Sequence, residues 1–87
     1  MARRTDANQR DIVAALRMAG CTVHSLHAVG QGCPDLLIGR ADKNYLLEVK
    51  TEEGKLRRSQ EQWIAKWRGH VAVVRTIEEA LEAVGLG

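Results

Sequence analysis

Residues 45–51, Tyr-Leu-Leu-Glu-Val-Lys-Thr, place a carboxylate and an ammonium inside what otherwise reads as a buried strand. Side chains alternate across a pleated strand, so Glu48 and Lys50, two apart, leave the same face. Charges on a mostly apolar strand need a partner or a task. A second short apolar run, Leu36-Leu37-Ile38, follows Gly32-Cys33-Pro34-Asp35, which puts Asp35 at its mouth. Arg40-Ala41-Asp42-Lys43-Asn44 is a polar turn between the two runs, so strands over 35–40 and 45–51 are expected to pair as a hairpin. That pairing would bring Asp35, Glu48 and Lys50 toward one place.

The flanking segments supply the rest of an α/β fold. Residues 6–19 read as a helix, with Asp6 as its cap, Ile12, Val13, Leu16 and Ala19 as its apolar stripe, and Gly20 as its stop. Gln9 stands three and four positions before Ile12 and Val13 and extends the stripe inward, whereas helical geometry turns Asp11 toward solvent. Residues 21–28 alternate loosely as a first strand, and Val29 to Pro34 form a glycine-rich loop in which Gly30 and Gly32 permit close backbone approach to a ligand. Ser59 and Gln62 have the spacing of a capping box for a second helix that carries Trp63, Ile64 and Trp67 and stops at Gly69. Gln60 heads that stripe as Gln9 heads the first. Residues 70–75 read as a fourth strand. Thr76 and Glu79 form another capping box, opening a last helix with Ile77, Ala80, Leu81 and Val84 inward and Gly85 at its end. The expected order is αβββαβα, a mixed four-stranded sheet flanked by helices.

With 87 residues the chain is expected to be a single domain, 1–87, with a thin core that a second copy would help to bury. No apolar run approaches the roughly 20 residues of a membrane span, and no apolar stretch follows Arg3 and Arg4 as a secretory signal would require. Reduced thiols at Cys21 and Cys33 are therefore expected. His24, His27, Cys21 and Cys33 match no compact zinc-finger spacing. The net charge of +2 is unevenly spread. Residues 1–70 hold 12 Lys/Arg against 8 Asp/Glu, giving +4, which suits a polyanionic partner.

Two carboxylates with an amine beside them suit phosphodiester hydrolysis. Mg²⁺ takes oxygen ligands and keeps several waters, so Asp35 and Glu48 suffice to hold it. Lys50 can orient the attacking water or stabilise developing charge. The residues also resemble a family. Pro34-Asp35 with Glu48-Val49-Lys50 is similar to the PD-(D/E)XK nuclease signature in its Glu-x-Lys form. The surrounding Gly-x-Pro-Asp-Leu-Leu-Ile, Leu-Leu-Glu-Val-Lys-Thr, Gly54-Lys55-Leu56, Ser59-Gln60 and Trp63-Ile64 resemble the stand-alone VRR-NUC domains of bacteriophages and bacteria over about residues 6–84.

That resemblance implies a restriction-endonuclease-like fold and Mg²⁺- or Mn²⁺-dependent cleavage of DNA. Asp35 and Glu48 would be metal ligands with the Val49 backbone carbonyl as a third, Lys50 the catalytic lysine, and Gln60 the glutamine that relatives carry on the helix after the third strand. Relatives place an acid on the first helix where this chain has Gln9, whose amide oxygen would take the metal directly or through water. The resemblance further implies a homodimer acting on branched DNA such as Holliday junctions, in the cytoplasm of a bacterial cell or a phage-infected host.

Plainer readings stand beside these. Glu48 and Lys50 taken without the surrounding motif read as a solvated edge-strand pair, and Asp35 as a turn residue. Gln9 and Gln60 read as helix-end hydrogen bonders. Lys55, Arg57 and Arg58 read as a solvated run or as phosphate contacts, and Arg3 and Arg4 as an arm reaching a phosphate. His27 lies near enough to the loop to reach a substrate. Trp63 and Trp67 read as core rather than as a base-stacking platform. A catalytically weak junction-binding module is the alternative function, and a protein-interaction domain a third.

Overall fold

The computed structural model describes the backbone of residues 2–87 and the side chains from Ala7 onward. Seven elements follow in the expected order: α1 (Ala2–Met18), β1 (Thr22–Ser25), β2 (Leu36–Arg40), β3 (Lys43–Val49), α2 (Arg58–Lys66), β4 (Val71–Val74) and α3 (Ile77–Ala83). The strands lie side by side in chain order. β1, β2 and β3 run antiparallel, and β4 joins β3 in parallel after the α2 crossover, so the sheet is mixed.

Register divides the sheet into two unlike faces. Leu36 pairs with Leu47, Ile38 with Val23 and Tyr45, and Val49 with Val74, so these side chains share one face. Against them α1 lays Ile12 and Leu16, and α3 lays Ala80 and Val84, all buried. The other face carries Leu37, Asn44, Leu46 and Glu48, with α2 beyond it. Among the described side chains of α2 only Gln60 is buried.

Several boundaries differ from the sequence reading. The first helix starts at Ala2, so Asp6 lies within it rather than capping it; Arg3 and Arg4 have side chains outside the described residues. β3 begins two residues early because Arg40 pairs with Lys43 across a two-residue turn. Ala41 and Asp42 there have φ of 52° and 65°, the left-handed pair that suits a tight hairpin. α2 begins at Arg58, with Arg57 as its cap, so the Ser59–Gln62 box does not form. Instead Gln60, at the third helical position, accepts the Arg57 backbone N–H at 2.8 Å. Thr76 does cap α3, accepting from Glu79 N–H at 3.0 Å, but Glu79 reaches back to Arg75 N–H rather than to Thr76. Trp67 is not core. It is 46% exposed and closes α2 as its C-cap.

Gly32 also takes a different part from the one expected. Its φ is +86°, and a side chain there would run into the Ser59 carbonyl, with the Ser59 carbonyl carbon only 2.7 Å away. The close approach that glycine permits is to the first turn of α2. The loop is thereby pressed against the helix that carries Gln60.

Candidate metal centre

β2 and β3 pair as far as Leu36 and Leu47, so one further step of the ladder sets Asp35 opposite Glu48. Asp35 just precedes β2, after the buried Pro34, and its Oδ2 accepts the Val49 backbone N–H at 2.8 Å. The carboxylate thus continues the ladder where the β2 backbone ends. Glu48 is 1% exposed. Its Oε2 accepts a hydrogen bond from Gln60 Nε2 at 2.8 Å and stands 3.7 Å from Lys50 Nζ. Its Oε1 is buried with no partner among the described residues.

Gln60 holds this arrangement through both ends of its amide. Its oxygen is engaged by the Arg57 N–H, so its nitrogen is the end left to face Glu48. The same side chain makes the helix-end bond and the contact with Glu48. Arg57, Gln60, Asp35, Gly32 and His27 line a cavity of about 240 Å³ beside the two carboxylates. Lys55 and Arg58, near Arg57 in the chain, are exposed.

Burial pushes the Glu48 carboxyl up to about 7 from 4.5; the neighbouring Asp35 carboxylate adds to this, while Lys50 and Arg57 oppose it. The Cys33 thiol is raised as well, by burial and by the charges of Glu48 and Asp35. Two carboxylates facing each other in so dry a place repel unless a proton or a cation lies between them.

The structure brings Asp35, Glu48, Lys50, Gln60 and Arg57 together. Gln9 is half-buried, and among the described residues no hydrogen bond joins it to either acid. Its neighbour Asn8, not singled out from sequence, reaches the strand end. Asn8 Nδ2 donates to the Lys50 carbonyl at 2.9 Å and to the Arg75 carbonyl at 3.4 Å, tying α1 to the residues that follow β3 and β4. Arg75, also missed, donates from one guanidinium nitrogen to the Thr51 and Gly54 carbonyls and holds the loop beyond Lys50. The only sequence signal for Asn8 was a poor helix former inside a helical stretch.

A profile of the VRR-NUC domain family matches residues 3–78. The chain belongs to the VRR-NUC family. This is a family of nuclease domains, which supports a nuclease role. A solved VRR-NUC domain structure shares the fold, with a TM-score of 0.75 and 22% identity over 92% of each chain. No curated protein matches the sequence. No helix among the described residues is long and apolar enough to cross a membrane.

The donor set fits a hard divalent cation. Both carboxylates offer oxygen, the orphaned Glu48 Oε1 has unused lone pairs, and Mg²⁺ needs only one or two carboxylates. No group of three or more His, Cys, Asp or Glu side chains capable of holding a metal occurs among the described residues.

Proposed function

We propose that this VRR-NUC domain is a divalent-metal-dependent DNA endonuclease, selective for branched DNA such as Holliday junctions, with Mg²⁺ or Mn²⁺ as cofactor. The observation that carries the reading is the Glu48 carboxylate. It is buried beside Asp35, fixed on one oxygen by Gln60 and Lys50, and unpartnered on the other among the described residues. Leaving a buried acceptor unpaired costs about 1–3 kcal/mol, more for a charged group, and a bound cation would remove that cost.

Asp35 and Glu48 would hold the ion. The Val49 carbonyl is a natural third ligand, because a strand residue's N–H and C=O leave on the same edge and the Val49 N–H already points to Asp35. When bound, the cation supplies charge neutralisation at the phosphate. Lys50 Nζ, 3.7 Å from Glu48 Oε2, would orient the attacking water and stabilise charge on the phosphoryl oxygens. Arg57 adds a cation on the cavity wall for a phosphate oxygen, and exposed Lys55 and Arg58 add further positive charge. Gln60 prevents Glu48 from rotating its free oxygen away. Because one chain carries one such centre, symmetric cutting of a four-way junction requires two copies, which favours a homodimer.

The test is incubation of a four-way junction and a linear duplex with Mg²⁺, Mn²⁺ or EDTA. Cleavage with either metal, none in EDTA, and a loss of at least about 100-fold in Lys50→Ala are expected. Full activity in EDTA or in Lys50→Ala would overturn the assignment. Gln9, standing where the family resemblance expects an acid, favours one other reading, a junction-binding module with little catalysis. It predicts salt-sensitive binding of the junction with no cutting in any metal.

A further inference from the structure

We propose that a second copy of this chain joins the sheet along the outer edge of β4, the two β4 strands running antiparallel about a two-fold axis near Ala72. The proposal rests on the homodimer reading above and names the surface that makes it.

The edge is open. Val74 accepts the Lys50 N–H at 3.0 Å, so Ala72 and Val74 turn their backbone groups toward β3. Val71 and Val73 turn theirs the other way, where no strand lies among the described residues. The next outward group, the Arg75 N–H, is already taken by Glu79 at 2.7 Å. A groove of about 460 Å³ follows this edge. Val73 lines it from one face of the sheet and Ala72 and Val74 from the other, with Leu56 and Ala83 beside them, as an uncovered edge allows.

Little guards it. Edge strands that stay unpaired carry charges, a proline or a bulge. β4 is Val-Ala-Val-Val, apolar and rich in β-branched residues, and only its length of four residues limits pairing. The opposite edge of the sheet differs. β1 is Thr-Val-His-Ser, and Arg17 of α1 occupies the Val23 carbonyl with a hydrogen bond of 3.3 Å.

Charge names the occupant. Lys66 and Arg68 precede β4, and Glu78, Glu79 and Glu82 follow it, all exposed. Antiparallel pairing lays the basic end of each copy beside the acidic end of the other, and the two-fold axis makes that match twice. With the axis at Ala72, Val71 stands opposite Val73 of the second copy, and each such pair exchanges both backbone bonds. Trp67 and Ile77, 46% and 36% exposed, lie equally far before and after Ala72, so this pairing also brings each toward the other across the two copies. The axis stands perpendicular to the sheet, so the two Glu48 carboxylates lie on the same face. The two β3 strands would be three spacings apart, about 14 Å. Two metal centres facing one way suit the cutting of two strands in one DNA.

The experiment is sedimentation equilibrium of the full chain in EDTA. The wild type should form a dimer of twice 9.6 kDa. Val73→Pro removes an outward N–H without touching the β3 ladder, and Arg68→Glu sets like charges together. Each should raise the dimer dissociation constant at least about 10-fold with the circular dichroism unchanged, because a two-fold interface feels every substitution twice. Arg68→Glu combined with Glu82→Arg should recover part of the loss. A monomeric wild type would overturn the proposal. So would a dimer that both variants leave intact; Arg68→Glu, at an exposed side chain, decides alone if Val73→Pro does not fold. A dimer broken by Trp67→Ala and by neither of these would move the interface to α2. Junction cutting by the wild type in Mn²⁺ keeps the two readings apart. A monomer that cuts removes the β4 interface alone, and a β4 dimer that does not cut removes the nuclease reading alone.

Discussion

Replacing Glu48 by Gln should stabilise the metal-free protein at neutral and alkaline pH while abolishing its function. Burial favours the neutral form of this carboxyl and carries it from 4.5 to about 7. A group whose native pKa is raised contributes stability that is complete below its unfolded value and is lost as pH rises through the native one. For Glu48 that window runs from 4.5 to about 7, and the whole difference corresponds to about 3 kcal/mol. The amide of Glu48→Gln imitates the protonated acid and can still accept from Gln60. The variant should therefore match the wild type near pH 4.5 and exceed it increasingly toward pH 8. For a chain of this size 1 kcal/mol shifts Tm by about 4–8 °C, so the gap at pH 8 should be on the order of 10 °C or more. Thermal unfolding followed by circular dichroism in EDTA measures it. A wild type as stable as the variant at pH 8, or a gap that does not widen with pH, would refute the burial argument.

Three other substitutions probe how the centre is held. Gly32→Ala should cost about 1–3 kcal/mol in urea unfolding, because the position combines a left-handed φ with contact against the Ser59 backbone; an unchanged midpoint would mean that the loop is not pressed on α2. Gln60→Ala should also lose about 1–3 kcal/mol, since it strips the Arg57 N–H and Glu48 Oε2 of their partner together. Asp42→Gly should gain up to about 1 kcal/mol by relieving a left-handed residue in the β2–β3 turn, visible as a higher urea midpoint and no change at the metal centre.

The order of elements and the meeting of Asp35 with Glu48 were legible because they follow from period-2 alternation and a hairpin. Once β2 and β3 pair, those two positions have nowhere else to go. The exact turn was not legible. Ala41-Asp42 lacks the Asn-Gly or Asp-Gly signature, yet the ladder still forces both residues to positive φ. The start of α2 was hidden for a related reason. Arg57 is no ordinary cap, and the residue that completes the helix end, Gln60, does so from beside the buried Glu48 carboxylate. Helical spacing correctly put Trp63 and Trp67 on one face. It could not tell whether anything covers that face, because cover is a tertiary matter, and Trp67 stands open. Asn8 was missed since its partners, the Lys50 and Arg75 carbonyls, lie 42 and 67 residues away.

Titration of the full-length chain with Mn²⁺, followed by the loss of the free-ion electron paramagnetic resonance signal, reaches the cation site itself. The wild type and Lys50→Ala should each take up the ion, and Asp35→Asn and Glu48→Gln should each lose that uptake. Uptake of Mn²⁺ by Glu48→Gln at wild-type affinity would contradict a centre built on the buried carboxylate.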